Sequence, residues 1–217
     1  MTHQPVRDPA RVKGKKGSYV GYFPSRKMKR SMAFESTGEL YSAILNEIDP
    51  RVAEYMEQPY RFEFQYEGKA SSYTPDFLVI RNGEKWIEEV KPYERVCEPK
   101  THKRLLAQKE LVESKGFKYR VVTEKTSMRQ PRLKNAEIIL RHAYPDWRED
   151  DQKKLLCAFS DGQDQPLKSV IEKIGTDDAL SIICTGTCVG LLELDMSQPF
   201  SQDTSVKLFN QEKHHVC

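Results

Sequence analysis

Apolar residues recur at helical spacing over residues 36–48, and this is the first clear pattern along the chain. The apolar stripe consists of Leu40, Tyr41, Ile44, Leu45 and Ile48. Ser36 and Glu39 stand at its start with the spacing of a capping box, and Asp49-Pro50 follows its end. The pattern therefore predicts a helix over residues 36–48.

Short apolar runs with turn residues between them follow this helix. The predicted strands cover residues 60–66, 73–80 and 85–91. Glu67-Gly68 and Asn82-Gly83 separate the runs, as hairpin turns do. A basic amphipathic helix over residues 100–114 and a strand over 118–123 come next. The predicted order is helix, three strands, helix, strand, which indicates an α/β fold.

The last third of the chain contains shorter elements. Helices are predicted over residues 152–159, 166–174 and 178–185, and a strand over 189–195. Three short helices with a hairpin are typical of a winged helix. We therefore expect a basic N-terminal arm over residues 1–31, an α/β domain over 32–148, and a small winged-helix-like C-terminal domain over 149–217.

The composition is that of a globular protein with unevenly placed charge. The 217 residues are 38% apolar, enough for one large domain or two small ones, and the formal net charge is +3. Residues 1–31 carry nine Lys or Arg and one Asp, which suits phosphate contacts, and a solvated tail over residues 1–17 is the alternative. No apolar run is long enough to span a membrane and no signal peptide is evident, so we expect a cytoplasmic protein.

The five cysteines are an odd number in a chain with no secretion signal, which argues against disulfides. On paper, Cys184 and Cys188 could form a zinc site with His214, His215 and Cys217, but the spacing is not that of a common zinc finger. The stretch around Cys184 and Cys188 is apolar. We therefore expect these two thiols to be core residues.

Two acidic residues and a lysine occur in neighbouring predicted strands. Asp76 follows Pro75 in one apolar run, and Glu89 stands two residues before Lys91 in the next. A partly buried pair of carboxylates costs desolvation and mutual repulsion, which a divalent cation offsets. Glu88 is the rival of Glu89, but alternate residues of a strand share a face, so only Glu89 is in phase with Lys91. The pattern indicates a metal-dependent nuclease site.

Pro75-Asp76 and Glu89-Val90-Lys91, on the second and third predicted strands, resemble the motif of the PD-(D/E)XK nuclease superfamily. That resemblance implies a restriction-endonuclease-like mixed-sheet core of αβββαβ order. A longer series of motifs resembles one family, TnsA, the endonuclease subunit of heteromeric Tns-type transposases. The series is Gly21-Tyr22-Phe23-Pro24-Ser25, Phe34-Glu35-Ser36-Thr37-Gly38-Glu39, Asp49-Pro50-Arg51-Val52, Glu57-Gln58-Pro59, Tyr73-Thr74-Pro75-Asp76-Phe77-Leu78-Val79, Glu89-Val90-Lys91-Pro92, Val122-Thr123-Glu124 and Pro131-Arg132-Leu133-Lys134-Asn135. It covers about residues 20–140, and a looser likeness continues over 191–204.

The resemblance to TnsA implies a catalytic set and a metal. The catalytic residues it implies are Glu39, Asp76, Glu89 and Lys91. The same three carboxylates, with the carbonyl oxygen of Val90, would bind Mg²⁺, and Mn²⁺ would substitute for it.

Each of these assignments has a competitor. Glu39 also fits as the capping partner of Ser36, and Glu35 is its rival on the same helix face. Asp76 and Glu89 also fit a strand-end acid and a surface acid paired with a lysine. The best-known TnsA carries glutamine at the position of Glu89, so this chain follows the general nuclease pattern there.

Basic residues in the arm and in the second predicted helix are candidates for DNA phosphate contacts. They are Lys27, Lys29, Arg30, Lys103, Arg104 and Lys109. His102 could be proposed as a base, but a histidine among these cations fits a DNA-facing or solvent position better. No base-reading motif accompanies them, so such contacts would position DNA rather than read it.

The resemblance also implies partners. They are a TnsB-like transposase that cuts the other strand, a TnsC-like AAA+ ATPase, and double-stranded DNA at transposon ends. The chain would cleave the 5′ strands in the bacterial cytoplasm, at the nucleoid when in complex. Residues 177–183 are acidic and then apolar, which favours protein docking over DNA reading by the C-terminal domain. The alternative functions are a stand-alone restriction- or repair-type nuclease and a catalytically silent DNA-binding scaffold.

Overall fold

The computed structural model describes residues 19–143, 146–160 and 162–209 of the chain. Within these ranges the chain forms two compact units. The first comprises residues up to 43 together with 54–128, and the second comprises 44–53 together with residues from 129 onward.

Eight strands and four helices lie between residues 21 and 127. In chain order they are β1 (Gly21–Ser25), β2 (Arg30–Phe34), α1 (Thr37–Ile48), β3 (Val52–Glu57), β4 (Phe62–Tyr66), β5 (Lys69–Tyr73), β6 (Phe77–Arg81), β7 (Glu84–Val90), α2 (Tyr93–Cys97), α3 (Pro99–Ser114), β8 (Lys118–Val122) and α4 (Glu124–Ser127). The helix predicted over residues 36–48 is present as α1, and the basic helix is present as α3.

A four-stranded mixed sheet with the order β3-β6-β7-β8 is the centre of the first unit. β6 and β7 are antiparallel, whereas β7 and β8 are parallel. The apolar positions of the strands supply the core on the α3 side, where Leu78 and Ile87 pack with Val112 and Tyr73. A mixed sheet with helices fits a nuclease-like α/β core, as predicted.

Two hairpins lie outside this sheet and change the predicted strand order. β1 pairs with β2, and β4 pairs with β5. The run predicted as the first core strand, residues 60–66, therefore belongs to a hairpin, and β3 takes its place in the sheet. The strand predicted over residues 73–80 is split at Pro75, which has no N–H to donate to a ladder.

The second unit contains short helices and a small sheet. Its elements after residue 128 are α5 (Arg132–His142), α6 (Glu149–Ala158), β9 (Gln165–Pro166), α7 (Leu167–Ile174), α8 (Ala179–Cys188), β10 (Leu192–Leu194) and β11 (Ser205–Leu208). The strands are antiparallel in the order β10-β11-β9. α5 packs on α8, and residues 132–142 belong to this unit. The domain bounds expected at 32–148 and 149–217 stay a prediction. The winged-helix assignment stays a prediction.

Cys184 and Cys188 lie on α8 and are fully buried, as expected of core thiols. Burial raises the pKa of the Cys184 thiol to about 12, so it keeps its proton. The histidines and the cysteine considered as their zinc partners, at positions 214, 215 and 217, lie outside the described residues. Within the described part of the chain, none of the helices has the length and apolar character needed to cross a membrane.

Candidate active site

The start of β6 and the end of β7 bring the two halves of the predicted nuclease motif together. Lys91 Nζ lies 2.6 Å from Glu89 Oε1 and 3.5 Å from Asp76 Oδ2, so one ammonium group bridges two carboxylates. The main-chain N–H of Val90 donates a 2.6 Å hydrogen bond to Asp76 Oδ2. Antiparallel pairing of the two strands, with Phe77 opposite Glu88, produces this approach.

The cluster of Asp76, Glu89 and Lys91 attracts positive charge. Burial and the Glu89 carboxylate raise the pKa of Asp76, and Lys91 and the Val90 N–H only partly oppose the rise. Burial lowers the pKa of Lys91, but Asp76 and Glu89 outweigh it, so the net pKa lies above the ordinary lysine value. Lys91 is therefore an ammonium at neutral pH. Because it supplies one positive charge to two carboxylates, the ionised pair keeps a net negative charge.

Tyr73 holds the second oxygen of Glu89. Its hydroxyl donates a buried 2.8 Å hydrogen bond to Glu89 Oε2. Burial and then the charge of Glu89 raise the pKa of Tyr73, so the phenol stays protonated and remains a donor. In the sequence, Tyr73 is an ordinary aromatic residue of a predicted strand. Its contact with Glu89 depends on the tertiary structure, which brings the end of β5 close to β7.

Glu88 points away from this group. It is fully buried, accepts a hydrogen bond from Ser42 Oγ at 3.3 Å, and forms an ion pair with Arg120 on β8. Glu89, in contrast, contacts Lys91. Glu88 and Glu89 therefore lie on opposite faces of β7, as the alternation of strand residues predicts.

Glu39 is both a helix cap and a neighbour of Asp76. Its carboxylate accepts hydrogen bonds from Ser36 Oγ at 2.9 Å and from the Glu35 N–H at 2.8 Å. Ser36 Oγ in turn accepts one from the Glu39 N–H at 3.2 Å, which completes the capping interaction. Burial and then repulsion by Asp76 raise the pKa of Glu39 to about 7 despite these bonds. A glutamate that only capped the helix would not need to lie where burial and Asp76 disfavour its negative charge.

Glu35, the rival of Glu39, is held by a different contact. Its Oε1 accepts a 3.0 Å hydrogen bond from Gln58 Nε2. The main-chain N–H of Gln58 donates to the carbonyl oxygen of Asp76 at 2.9 Å. Gln58 has a left-handed φ of 44°, a strained value for a residue with a side chain. Glu35 therefore links to the Asp76 main chain through Gln58, whereas Glu39 interacts with the Asp76 carboxylate itself.

The donor set suits a hard divalent cation in its chemistry. Glu39, Asp76 and Glu89 offer carboxylate oxygens, and Val90 offers a main-chain oxygen, which are ligands that Mg²⁺ and Mn²⁺ prefer. Among the described residues, no group of three or more His, Cys, Asp or Glu side chains is arranged to hold a metal ion by itself. The Nζ of Lys91 contacts both strand carboxylates and also the Val90 oxygen at 3.1 Å.

The basic residues predicted in the arm lie on the β1–β2 hairpin. Lys27 and Lys29 belong to its turn. Arg30 makes two hydrogen bonds to Glu57, at 2.7 and 2.5 Å, and the charge of that carboxylate raises the pKa of Arg30. Arg30 is thus committed to a structural ion pair, and a role for it in phosphate binding stays a prediction.

The basic residues predicted on α3 divide into two groups. Lys103 pairs with Glu67 at 2.9 Å, and Lys109 lies 3.9 Å from Glu113. Arg104 instead lines an open groove of about 660 Å³ that also contains Glu89 and Lys91. Three further cations line this groove, and the sequence analysis did not single them out: Arg61, Arg95 and Lys100.

The mixed sheet with flanking helices fits a nuclease-like α/β core, and Lys91 bridges two carboxylates at the ends of its strands. Residues 49–124 match the family described as TnsA-like endonuclease N terminal. This match covers about a third of the chain and confirms the resemblance to TnsA that the motifs indicate. A comparison with curated proteins found no match.

Proposed function

We propose that this chain is a metal-dependent DNA endonuclease that hydrolyses the 5′ (non-transferred) strands at transposon ends during cut-and-paste transposition. The observation that carries the proposal is the Lys91 ammonium bridging Asp76 and Glu89 inside a TnsA-like endonuclease domain. An exposed salt bridge would need neither the buried Tyr73 donor nor an Asp76 carboxylate whose pKa is raised.

Glu39, Asp76 and Glu89, with the carbonyl oxygen of Val90, would hold Mg²⁺. The bound cation would supply Lewis-acid polarisation of the scissile phosphate. Asp76 is fixed by the Val90 N–H, and Glu89 is fixed by Tyr73, so both carboxylates are oriented before any ion arrives. Glu39 adds a third oxygen donor from α1, whose cap holds it near Asp76.

Lys91 contributes electrostatic stabilisation rather than base catalysis. Its pKa is raised, so at neutral pH it has no free lone pair with which to take a proton. A fixed ammonium beside the carboxylates stabilises the negative charge that builds on a phosphate under attack.

Cleavage of strand-labelled transposon-end DNA tests this proposal, in the presence of Mg²⁺, a TnsB-like transposase and a TnsC-like ATPase. We expect Asp76→Ala and Lys91→Ala each to lower 5′-strand cleavage by about 10²-fold or more, as loss of a charge-stabilising group does. The matched control is Lys85→Ala, which removes an exposed lysine of β7. Variants that still cut the 5′ strands like wild type would refute the site. Plasmid cleavage by the chain alone would favour a stand-alone nuclease.

The second unit is proposed to dock a protein partner of the TnsC-like ATPase class. In a DNA-reading winged helix, a helix would present basic side chains to the groove. Residues 182–188 of α8 are instead buried without interruption, and Asp178 precedes the helix. Pull-down of the ATPase by the full chain, compared with Lys168→Glu and Lys173→Glu on exposed positions of α7, would test this surface. Unchanged capture by both variants would exclude α7 as the contact.

A further inference from the structure

The groove beside Glu89 and Lys91 has a strongly unbalanced charge. Its basic lining residues are Arg61, Lys91, Arg95, Lys100 and Arg104, and its single acidic one is Glu89. The whole chain has a formal net charge of only +3, so this one groove gathers an excess of four positive charges. Cations concentrated in a concave surface attract a polyanion.

The cations come from separate elements that face one space. Arg61 precedes β4, Arg95 lies on α2, and Lys100 and Arg104 lie on α3. Lys100 and Arg104 are one helical turn apart, about 6 Å along the axis, so they form a row on one face of the helix. Such a row follows an extended chain of charges better than it surrounds one small anion.

The groove cations are available to a ligand. Arg61 pairs with Glu63 at 2.9 Å and Arg95 pairs with Glu98 at 2.8 Å, and all four side chains are largely exposed. Exposed pairs of this kind contribute roughly 0–1 kcal/mol, so a phosphate can replace the carboxylate at little cost. The lining also includes hydroxyl groups, on Ser72 and Thr74, of the kind that donate to phosphate oxygens.

We propose that this groove binds the phosphates of the DNA strand that is cleaved and leads that strand to the carboxylate site. We call the groove the phosphate track. The proposal deepens the nuclease function proposed above and rests on it. It assigns DNA positioning to Arg61, Arg95, Lys100 and Arg104. Lys103 and Lys109, the other α3 cations predicted from the sequence, do not line this groove.

Binding of a short fluorescent DNA duplex to the full-length chain in EDTA tests the track without any hydrolysis. We expect Lys100→Gln/Arg104→Gln to weaken binding at least about tenfold and to reduce the slope of log K against log salt by about 2. Lys69→Gln/Lys115→Gln removes the same charge from exposed positions of the hairpin and the end of α3, outside the groove, and should leave both quantities near wild type. Thermal unfolding checks that each variant is folded.

The outcomes separate the track from the nuclease function. Wild-type affinity and slope in Lys100→Gln/Arg104→Gln would overturn the track, as would a larger loss in Lys103→Gln/Lys109→Gln or no affinity of the wild type for DNA. If the groove variant loses binding while Asp76→Ala still cuts the 5′ strand, the track stands and the proposed catalytic site fails. If the groove variant binds normally and Asp76→Ala is inactive, the reverse holds.

Discussion

Tyr73 donates its hydroxyl hydrogen to Glu89 Oε2 at 2.8 Å, inside the core of the first unit. Lys91 occupies the other oxygen of the same carboxylate at 2.6 Å. The position of Glu89 is therefore set from two sides. Both Tyr73 and Lys91 line the open groove. Because the hydroxyl of Tyr73 is bonded to Glu89, we expect Tyr73 to act as a positioning residue whose effect passes through Glu89.

We expect Tyr73→Phe to raise the Mg²⁺ concentration needed for half-maximal cleavage by about tenfold, because loss of a supporting hydrogen bond typically costs 10–100-fold in metal affinity or activity. The measurement is a Mg²⁺ titration of 5′-strand cleavage. Tyr66→Phe, which removes a hydroxyl from the same hairpin, is the control and should titrate like wild type. An identical Mg²⁺ dependence in Tyr73→Phe would show that the hydrogen bond does not position Glu89.

Glu88 and Arg120 provide a stability prediction that separates Glu88 from Glu89, the glutamate proposed to be catalytic. Glu88 is fully buried and Arg120 is its ion-pair partner, with 36% of the Arg120 side chain exposed. Removing one member of a buried pair costs about 3–5 kcal/mol, and the partial exposure of Arg120 reduces this to roughly 2 kcal/mol. We expect Arg120→Met to lower the free energy of unfolding, measured in urea, by about that amount.

The Glu88→Gln/Arg120→Met double variant should lose less stability than the sum of its single variants, since the pair is removed together. Glu89→Gln, in contrast, should abolish cleavage and lower the urea midpoint less than Arg120→Met does, because Lys91 keeps Asp76 as a partner. A folded Glu88→Gln variant with no cleavage activity would reverse the assignment of the two glutamates.

Glu39 makes the stability of the metal-free protein depend on pH. Burial and Asp76 raise its pKa from 4.5 to about 7 in the folded chain. The folded state therefore holds this proton more tightly, and the resulting stability is full below pH 4.5 and lost as the pH rises through 7. Relative to Glu39→Gln, the wild type should lose on the order of 2 kcal/mol between these pH values.

Urea unfolding of both proteins in EDTA at several pH values measures this difference. The stability that Glu39→Gln loses at the helix cap does not change with pH, so it does not affect the difference in pH dependence between the two proteins. A parallel pH dependence of the two proteins would mean that Glu39 titrates normally and interacts only with the helix end.

Local patterns predicted the parts of this site that local contacts build. Ser36 and Glu39 form the predicted cap, and the alternation of a strand put Glu89 with Lys91. Residues separated along the chain could not be placed in the same way. Arg61 and Lys100 line one groove only because the β4–β5 hairpin lies outside the core sheet. The hydrophobic periodicity does not show which strands belong to that hairpin.

The missed core strand has a similar cause. β3 reads Val-Ala-Glu-Tyr-Met-Glu, and its buried positions do not alternate. Its Glu57 is buried because Arg30 pairs with it from β2, a contact that the sequence pattern gives no means to predict. The run at residues 60–66 alternates more strongly and therefore predicts a core strand, although it belongs to the β4–β5 hairpin.

Gly38 lies in the first turn of α1, beside Val90 at the end of β7. A Cβ atom at this position would stand 2.9 Å from Val90 Cγ1, closer than real contacts allow. Alanine normally stabilises a helix by about 1 kcal/mol relative to glycine. Here we expect Gly38→Ala to displace the first turn of α1, move Glu39 away from Asp76, and lower 5′-strand cleavage by roughly tenfold or more, since small misplacements in a site are costly.

Val90→Ala removes the opposing methyl group while keeping the main-chain N–H and carbonyl that serve the site. We therefore expect Gly38→Ala/Val90→Ala to recover most of the cleavage that Gly38→Ala loses, and a double-mutant cycle on cleavage rates measures this coupling. Val90→Ala alone should cost a modest amount of stability and little activity. If the second substitution rescues nothing, the contact between α1 and β7 does not set the position of Glu39, and the carboxylate must reach Asp76 by a route independent of this packing.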